Sequence, residues 1–138
     1  MKKYKSFPPY LANGKTTFPG TKNKAGVYQI FESGKLVYIG FSGFNLYRTL
    51  YRHFEKWNHR SQPVVTYENK MKRFNYTVRV TICTALQAEK LERLLIKKYK
   101  PRDNSNQFEL YELTPSDLRV FEVFKGEELQ SLPDNPTF

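Results

Sequence analysis

The fold of this chain is decided by residues 26–40, which read GVYQIFESGKLVYIG. Two runs rich in β-branched and aromatic residues, 26–31 and 36–40, lie on either side of the polar stretch 32–35. Such runs favour extended backbone, and the stretch between them contains a glycine, which is typical of a turn. The pattern therefore predicts a β-hairpin whose loop is longer than two residues.

A helix is predicted directly after the hairpin. Apolar side chains recur there at the spacing of one helical stripe, at Leu46, Leu50, Phe54 and Trp57. Because residues three, four and seven positions apart share one face of a helix, this stripe would pack against the sheet.

Another strand and another helix are predicted farther along. Residues 76–82 alternate with period two, which predicts a strand that buries Val78, Val80 and Ile82. Thr84 is a suitable N-cap for a helix from about residue 85 to residue 99, and Pro101 would end it.

The order of these elements predicts an α/β (α+β) fold, in which helices flank a small, mixed or antiparallel, three-stranded sheet. A length of 138 residues fits one domain with terminal extensions. We expect an N-terminal arm packed on the domain over 1–24, with its aromatic rings as anchors. The central domain would cover 25–106, and an acidic extension with a short helix would cover 107–138.

The composition excludes several classes of protein. An apolar fraction of 39% provides a core, so a wholly disordered chain is excluded. One cysteine and two histidines exclude a disulfide framework and argue against a structural zinc site. The chain contains no apolar run of the length that a signal peptide or a membrane span needs, so we expect a cytoplasmic protein without a membrane partner.

Charge is distributed unevenly along the chain. Residues 1–108 contain 21 Lys and Arg against 6 Asp and Glu, a net +15, whereas residues 109–138 contain 2 against 7, a net −5. A strongly basic body points to a polyanionic partner, and such asymmetry often accompanies nucleic-acid binding.

Four local features together resemble the GIY-YIG nuclease module. They are Gly26-Val27-Tyr28, Tyr38-Ile39-Gly40 ten residues later, a helix that contains Arg and His, and the stretch ERLLIKKYKPRDN over 92–104 with its Pro-x-x-Asn ending. The resemblance covers roughly residues 25–106. It implies the module's fold and a metal-dependent endonuclease that hydrolyses DNA phosphodiester bonds.

The resemblance also implies site residues. Glu92 stands at the family's metal-binding position, and a single carboxylate completed by waters suits Mg²⁺ (or Mn²⁺). Tyr28 would orient or deprotonate the attacking water, and Tyr38 would hold the phosphate site. His53 would donate a hydrogen bond or act as a general base beside that water, and Asn104 would tie the loop after the acidic helix to the site.

The helix arginine departs from the family pattern. Counting forward from Gly40 places the family's arginine on Arg48, whereas alignment by the apolar stripe places Thr49 at that position. By helix phase Arg52 lies about 60° from Thr49 and Arg48 about 100°, so both arginines remain candidates. Phe41 also occupies a position where some relatives have lysine.

Further basic residues are predicted to contact the phosphate backbone without reading its sequence. They are Lys56, Arg60, Lys70, Lys72, Arg73, Lys97, Lys98, Lys100 and Arg102. We expect DNA as the partner, with RNA left open, no small-molecule cofactor, and a homodimer as one way of cutting both strands.

Two other functions remain alternatives. Thr49 and Phe41 are compatible with a catalytically inactive nucleic-acid-binding module that retains the fold. The other alternative is a protein-docking function, in which the basic surface binds an acidic protein.

Overall fold

The computed structural model of the chain describes residues 4–55, 65–67, 75–107, 114–119 and 122. Within these ranges the strands are β1 (Tyr4–Phe7), β2 (Gly26–Glu32), β3 (Lys35–Ser42) and β4 (Tyr76–Ile82). The longer helices are α1 (Leu46–Phe54) and α2 (Ala85–Tyr99), and a 3₁₀ segment covers Arg102–Gln107.

The four strands form one antiparallel sheet in the order β1-β4-β2-β3. With helices packed on it, this sheet confirms the predicted α+β fold. It has one strand more than the three predicted, because residues 4–7 of the arm pair with β4. Four residues among lysines and prolines are too few to show a period-two pattern, so the sequence did not reveal this strand.

The predicted hairpin is confirmed as β2 and β3, but the predicted loop length is wrong: Glu32 and Lys35 pair with each other, so only Ser33 and Gly34 lie between the strands. Ser33 and Gly34 both have positive φ angles, of 51° and 81°, and turn the chain between the strands. The register pairs Tyr28 with Gly40 and Ile30 with Tyr38, and it shifts by a β-bulge after Ile30. Tyr28 and Tyr38 therefore lie on neighbouring strands, one diagonal step apart.

β2 is covered on both of its faces. Tyr28 and Ile30 belong to the core cluster that contains α1, whereas Val27 and Phe31 belong to the cluster that contains α2. Successive side chains of a strand point to opposite faces, so α1 and α2 pack on opposite sides of the sheet.

Both helices begin at the capping residues that their sequences provide. Asn45 caps α1 by accepting a hydrogen bond from the amide of Arg48. Thr84 and Gln87 form a reciprocal capping box at the start of α2. The predicted stripe of α1 is confirmed for Leu46, Leu50 and Phe54, which are fully buried, whereas Trp57 lies outside the described residues.

The predicted strand over 76–82 is confirmed as β4, and Val78 and Val80 are buried. The prediction for Ile82 is wrong, since its side chain is 36% exposed. Ile82 is the last residue of the strand, opposite Gly26, which has no side chain to pack against it.

The acidic extension contacts α2 in the part that the structure describes. Residues 115–119 are helical, and Thr114 and Asp117 exchange hydrogen bonds at the start of this turn. Asp117 is buried and accepts a hydrogen bond of 2.9 Å from the Arg93 guanidinium. The boundaries of the arm, the central domain and the extension stay predictions. None of the described helices has the length and apolar character needed to cross a membrane.

Gly26 is required by the close approach of β2 to β4. A Cβ atom at this position would overlap the backbone carbonyl oxygen of Thr81 and would lie 3.0 Å from Leu46 Cδ1. We expect Gly26→Ala to lower the free energy of unfolding by about 1–3 kcal/mol, because backbone of the neighbouring strand must move. Urea unfolding followed by circular dichroism measures this change.

Gly43→Ala is the matched control. A Cβ atom at residue 43 meets only the Ala85 side chain, at an ordinary contact distance of 3.7 Å. The stability of Gly43→Ala should therefore be unchanged or slightly higher than that of the unsubstituted chain. Equal stability of the two variants would contradict the steric account of Gly26.

Candidate active site

A buried hydrogen bond joins the hairpin to α1. The Tyr28 hydroxyl lies 2.7 Å from His53 Nε2, and His53 Nδ1 lies 2.6 Å from the carbonyl oxygen of Val65. A carbonyl oxygen can only accept, so Nδ1 carries the imidazole proton. Nε2 therefore accepts a hydrogen bond from the Tyr28 hydroxyl.

Burial keeps both partners uncharged. The Tyr28 and His53 side chains are each about 2% exposed. Burial, followed by the Tyr38 and Glu92 side chains, raises the pKa of Tyr28 well above 10. Burial and the nearby Arg52 charge lower the pKa of His53 to about 4, although the Val65 carbonyl acts in the opposite direction. Near pH 7 the pair is a neutral phenol and a neutral imidazole.

Aromatic rings enclose His53. Its ring centroid lies 4.8 Å from that of Tyr38, 5.3 Å from that of Tyr28 and 6.2 Å from that of Tyr67. The Tyr28 and Tyr38 rings stack at 6.1 Å, with an interplanar angle of 24°. These contacts, together with the hydrogen bonds at both ring nitrogens, hold the imidazole in one orientation.

The ring of Tyr28 lies across the backbone of β3 at Gly40. A Cβ atom at residue 40 would overlap the Tyr28 hydroxyl, so a glycine is required at this paired position. The last residue of the Tyr38-Ile39-Gly40 motif thus makes room for the hydroxyl of the Gly26-Val27-Tyr28 motif.

Glu92 brings a carboxylate to this site from α2. Its side chain is only 6% exposed, unlike that of a solvated helix glutamate, and its charge is one of the causes of the raised Tyr28 pKa. Glu89, one turn earlier, is instead half exposed and forms an ion pair with Arg93. The described residues contain no group of three or more His, Cys, Asp or Glu side chains suited to a metal ion.

A single buried carboxylate is compatible with one kind of metal ion. Mg²⁺ prefers hard oxygen ligands and is usually held by one or two carboxylates, while waters and substrate phosphates complete its shell. Glu92 fits such an ion, whereas the described donor set does not fit zinc, which needs several His or Cys ligands.

The two candidate arginines lie in different surroundings. Arg48 is exposed in the first turn of α1, whereas Arg52 is partly buried and its charge contributes to the lowered His53 pKa. The Thr49 hydroxyl donates a hydrogen bond of 3.3 Å to the backbone carbonyl of Asn45. Of these three side chains, Arg52 is the one that exerts an electrostatic effect on the Tyr28–His53 pair.

Asn104 holds β3 rather than the reacting groups. Its Oδ1 accepts a hydrogen bond of 2.8 Å from the Ile39 amide, and its Nδ2 donates one of 2.9 Å to the Ile39 carbonyl. The side chain is fully buried. Because Ile39 stands between Tyr38 and Gly40, Asn104 fixes the strand segment on which both depend.

Sequence reasoning missed the segment 65–67. Val65 orients His53 through its carbonyl oxygen, and the Tyr67 amide donates a hydrogen bond of 2.6 Å to the His53 carbonyl. The Tyr67 hydroxyl donates one of 2.6 Å to Asp103, beside Asn104. A backbone carbonyl is common to every residue type, so no sequence signal could have identified Val65.

The predicted phosphate contacts fall into two groups. Lys56, Arg60, Lys70, Lys72 and Arg73 lie outside the described residues. Lys97 and Lys98 are partly buried in the last turn of α2, and Lys100 is exposed directly after it. Arg102 is exposed but forms ion pairs with Asp103 at 2.9 Å and with Glu32 at 3.5 Å. The role of all nine in binding nucleic acid stays a prediction.

Comparison with known proteins adds one finding. A family model described as the GIY-YIG catalytic domain matches residues 24–107. This range contains the hairpin, α1, β4, α2 and Asn104. No curated protein sequence and no solved structure matches the chain.

The lowered pKa of His53 predicts a pH-dependent stability. In the unfolded chain this histidine titrates near 6.5, so between pH 6.5 and pH 4 the unfolded state binds more protons than the folded state. Stability should therefore fall as the pH is lowered through this window. His53 should account for about 2 kcal/mol of the stability lost between pH 7 and pH 5. Urea unfolding at these two pH values should show a smaller loss for His53→Gln than for the unsubstituted chain. An equal loss in both would contradict the buried, neutral imidazole.

The hydrogen bonds of Asn104 predict a second effect on stability. Asn104→Ala leaves the buried amide and carbonyl of Ile39 without their side-chain partner, which should cost at least about 2 kcal/mol. Asn75→Ala, which shortens an exposed asparagine before β4, is the control and should cost less than about 0.5 kcal/mol. Similar midpoints in thermal unfolding of the two variants would contradict this account.

Proposed function

The chain belongs to the GIY-YIG family, whose members are generally endonucleases, and from this premise we propose that it is a metal-dependent endonuclease that hydrolyses DNA phosphodiester bonds. The observation that carries the proposal is the buried hydrogen bond from the Tyr28 hydroxyl to His53 Nε2, with the buried Glu92 carboxylate within electrostatic reach. Such a reaction needs an activated water, charge neutralisation at the phosphoryl group and stabilisation of the leaving oxygen.

Tyr28 and His53 supply a path for the proton of the water. With a pKa well above 10, the Tyr28 hydroxyl is a poor base on its own. Its proton already points at His53 Nε2, so the phenol oxygen can accept a proton from water as it passes its own proton to the imidazole. The Val65 carbonyl supports this direction of transfer, because it keeps the other imidazole proton on Nδ1.

The proton affinity of His53 changes when substrate arrives. A pKa of about 4 makes the imidazole a weak acceptor in the free protein. A bound phosphodiester brings a negative charge next to the site, and an opposite charge within about 4–6 Å moves a pKa toward the charged form by about 1–3 units. The pair would thus become a better proton acceptor when a phosphate is bound.

Glu92, Tyr38 and an arginine complete the site. GIY-YIG nucleases typically use divalent metals, and an Mg²⁺ or Mn²⁺ ion held by Glu92 would neutralise charge on the phosphoryl oxygens and stabilise the leaving oxygen. The Tyr38 ring, stacked on Tyr28 and next to His53, would border the phosphate. We assign the catalytic arginine to Arg52 rather than Arg48, and its effect on the His53 pKa supports that choice. Asn104 is a positioning residue.

Cleavage of plasmid and branched DNA in Mg²⁺ and in Mn²⁺ tests the proposal. Tyr28→Phe and Glu92→Gln should each lower the cleavage rate by about 10²–10⁴-fold, because each removes a group that acts on the reacting atoms. Glu89→Gln is the matched control for Glu92, since it removes an exposed carboxylate one turn away, and it should keep full activity. Arg52→Lys should lose more activity than Arg48→Lys.

These variants test the metal assignment and the choice of catalytic arginine separately. Equal activity of Glu92→Gln and Glu89→Gln would remove the metal assignment. A larger loss in Arg48→Lys would move the catalytic arginine to position 48. Thermal unfolding of each variant confirms that a lost activity is not a lost fold.

A catalytically inactive nucleic-acid-binding module is the second candidate. The Thr49 hydroxyl is turned to the helix backbone, and Phe41, where some relatives have lysine, packs against the α2 cluster. Salt-sensitive DNA binding without cleavage in either metal would favour this function over a nuclease.

A further inference from the structure

The N-terminal arm forms most of a basic groove that lies largely outside the part of the chain that the family model matches. Residues 1–24 contain six lysines and no aspartate or glutamate, and the family match begins at residue 24. An unbalanced positive charge of this density is unfavourable through self-repulsion, so it calls for a polyanionic partner.

The described part of the arm, residues 4–24, is packed firmly on the domain. Phe7, Tyr10 and Phe18 are buried in the cluster that contains α1. The Tyr10 hydroxyl donates a hydrogen bond of 2.7 Å to the carbonyl of Phe54 at the end of α1. Lys15, Lys22 and Lys24 are therefore carried on a fixed support.

The end of the arm is attached to the first turn of α1. The amides of Leu46 and Tyr47 donate to the carbonyls of Lys24 and Thr21, at 2.9 and 3.3 Å. The Asn23 amide donates to the side chain of the capping residue Asn45 at 3.2 Å. Because arm carbonyls already satisfy these helix amides, the lysine side chains and not the helix terminus supply the attraction for an anion.

Between this attachment and α1 lies an open groove of about 380 Å³. The groove is lined by residues 16–20 and by Lys22, Lys24 and Tyr47. The Lys22 ammonium lies 5.4 Å from the centroid of the Tyr47 ring, and none of the described residues that line the groove is a carboxylate. We call this feature the arm groove; it combines two cationic heads, threonine hydroxyls and a tyrosine ring, which is the chemistry that binds a sugar–phosphate backbone.

The arm groove lies a short distance from the proposed active site along two elements. Lys24 precedes Tyr28 by four residues, which is about 13 Å of extended chain. Tyr47 precedes His53 by six residues on α1, a rise of about 9 Å. A duplex carries a phosphate on each strand about every 3.4 Å along its axis, so this range corresponds to about three or four base pairs.

We propose that the arm groove binds the sugar–phosphate backbone of the nucleic-acid substrate about three or four nucleotides to one side of the scissile phosphate. The distance from the scissile phosphate rests on the proposed nuclease function, whereas the binding of nucleic acid in the arm groove does not. The arm groove would add affinity that does not depend on base sequence, and it would fix on which side of the cut the longer part of the substrate lies.

Binding to a labelled DNA duplex, measured by fluorescence anisotropy over a series of salt concentrations without metal, tests the proposal. Lys22→Ala/Lys24→Ala should weaken binding equally for unrelated sequences and lower the slope of log affinity against log salt by about 2. The matched control is Lys35→Ala/Lys90→Ala, which removes the same charge from the hairpin turn and from α2. The control should lower the slope by less than about 1, and all four lysines can be replaced without loss of a hydrogen bond made by a described side chain.

A second measurement locates the contact relative to the cut. Duplexes are shortened stepwise from either side of the position at which the unsubstituted chain nicks them. Shortening on one side to fewer than about three base pairs should weaken binding of the unsubstituted chain and leave binding of Lys22→Ala/Lys24→Ala unchanged. Shortening on the other side should affect both proteins equally.

The outcomes separate this inference from the proposed function. If the two double variants bind DNA equally well and with equal salt slopes, the proposed role of the arm groove is overturned, even if cleavage is normal. A selective loss of DNA binding in Lys22→Ala/Lys24→Ala without any cleavage by the unsubstituted chain would support the arm groove and contradict the nuclease. Retained binding of DNA together with lost binding of an acidic protein would assign the groove to a protein partner and overturn the proposal.

Discussion

The hydrogen bond from His53 Nδ1 to the Val65 carbonyl determines the proton positions of the whole site. It leaves only one lone pair of the imidazole available, on Nε2, and directs it at the Tyr28 hydroxyl. If Nε2 carried the imidazole proton instead, the Tyr28 hydroxyl would face a donor, and its own proton would need another acceptor. Burial then keeps both groups neutral, so the tautomer, and not a charge, gives the pair its direction.

Close backbone packing makes this hydrogen bond attainable. Gly26 lets β2 approach β4, and Gly40 leaves space for the Tyr28 hydroxyl over β3. Asn104 holds β3 from its outer side through the Ile39 backbone. The site is therefore assembled from a hairpin, α1, the 65–67 segment, α2 and the residues after α2, and no single element contains it.

The sequence predicts the parts of this arrangement that have a periodic or local signal. The hairpin at 26–40, the stripe Leu46–Leu50–Phe54 and the Thr84 cap follow from spacing and residue type, and the structure confirms them. β1 was not predicted because four residues are too few to show a period. The exposure of Ile82 was not predicted because this residue ends its strand and has no side chain opposite it. The burial of Glu92 and the tautomer of His53 depend on residues distant in the chain, which no local pattern encodes. The choice between Arg48 and Arg52 depended on a loop of uncertain length; in the structure the two differ in exposure, and Arg52 contributes to the lowered pKa of His53.

The pairing of β1 with β4 has a consequence for the order in which the chain folds. Tyr4 pairs with Thr81, seventy-seven residues later, whereas β2 and β3 are joined by a turn of two residues. Closing the long loop costs more entropy than closing the hairpin, and during synthesis it must wait until β4 has been made. The hairpin with both tyrosines can thus form early, while the first strand stays unpaired. The strand that comes first of the four in the sequence is then among the last to reach its native neighbours.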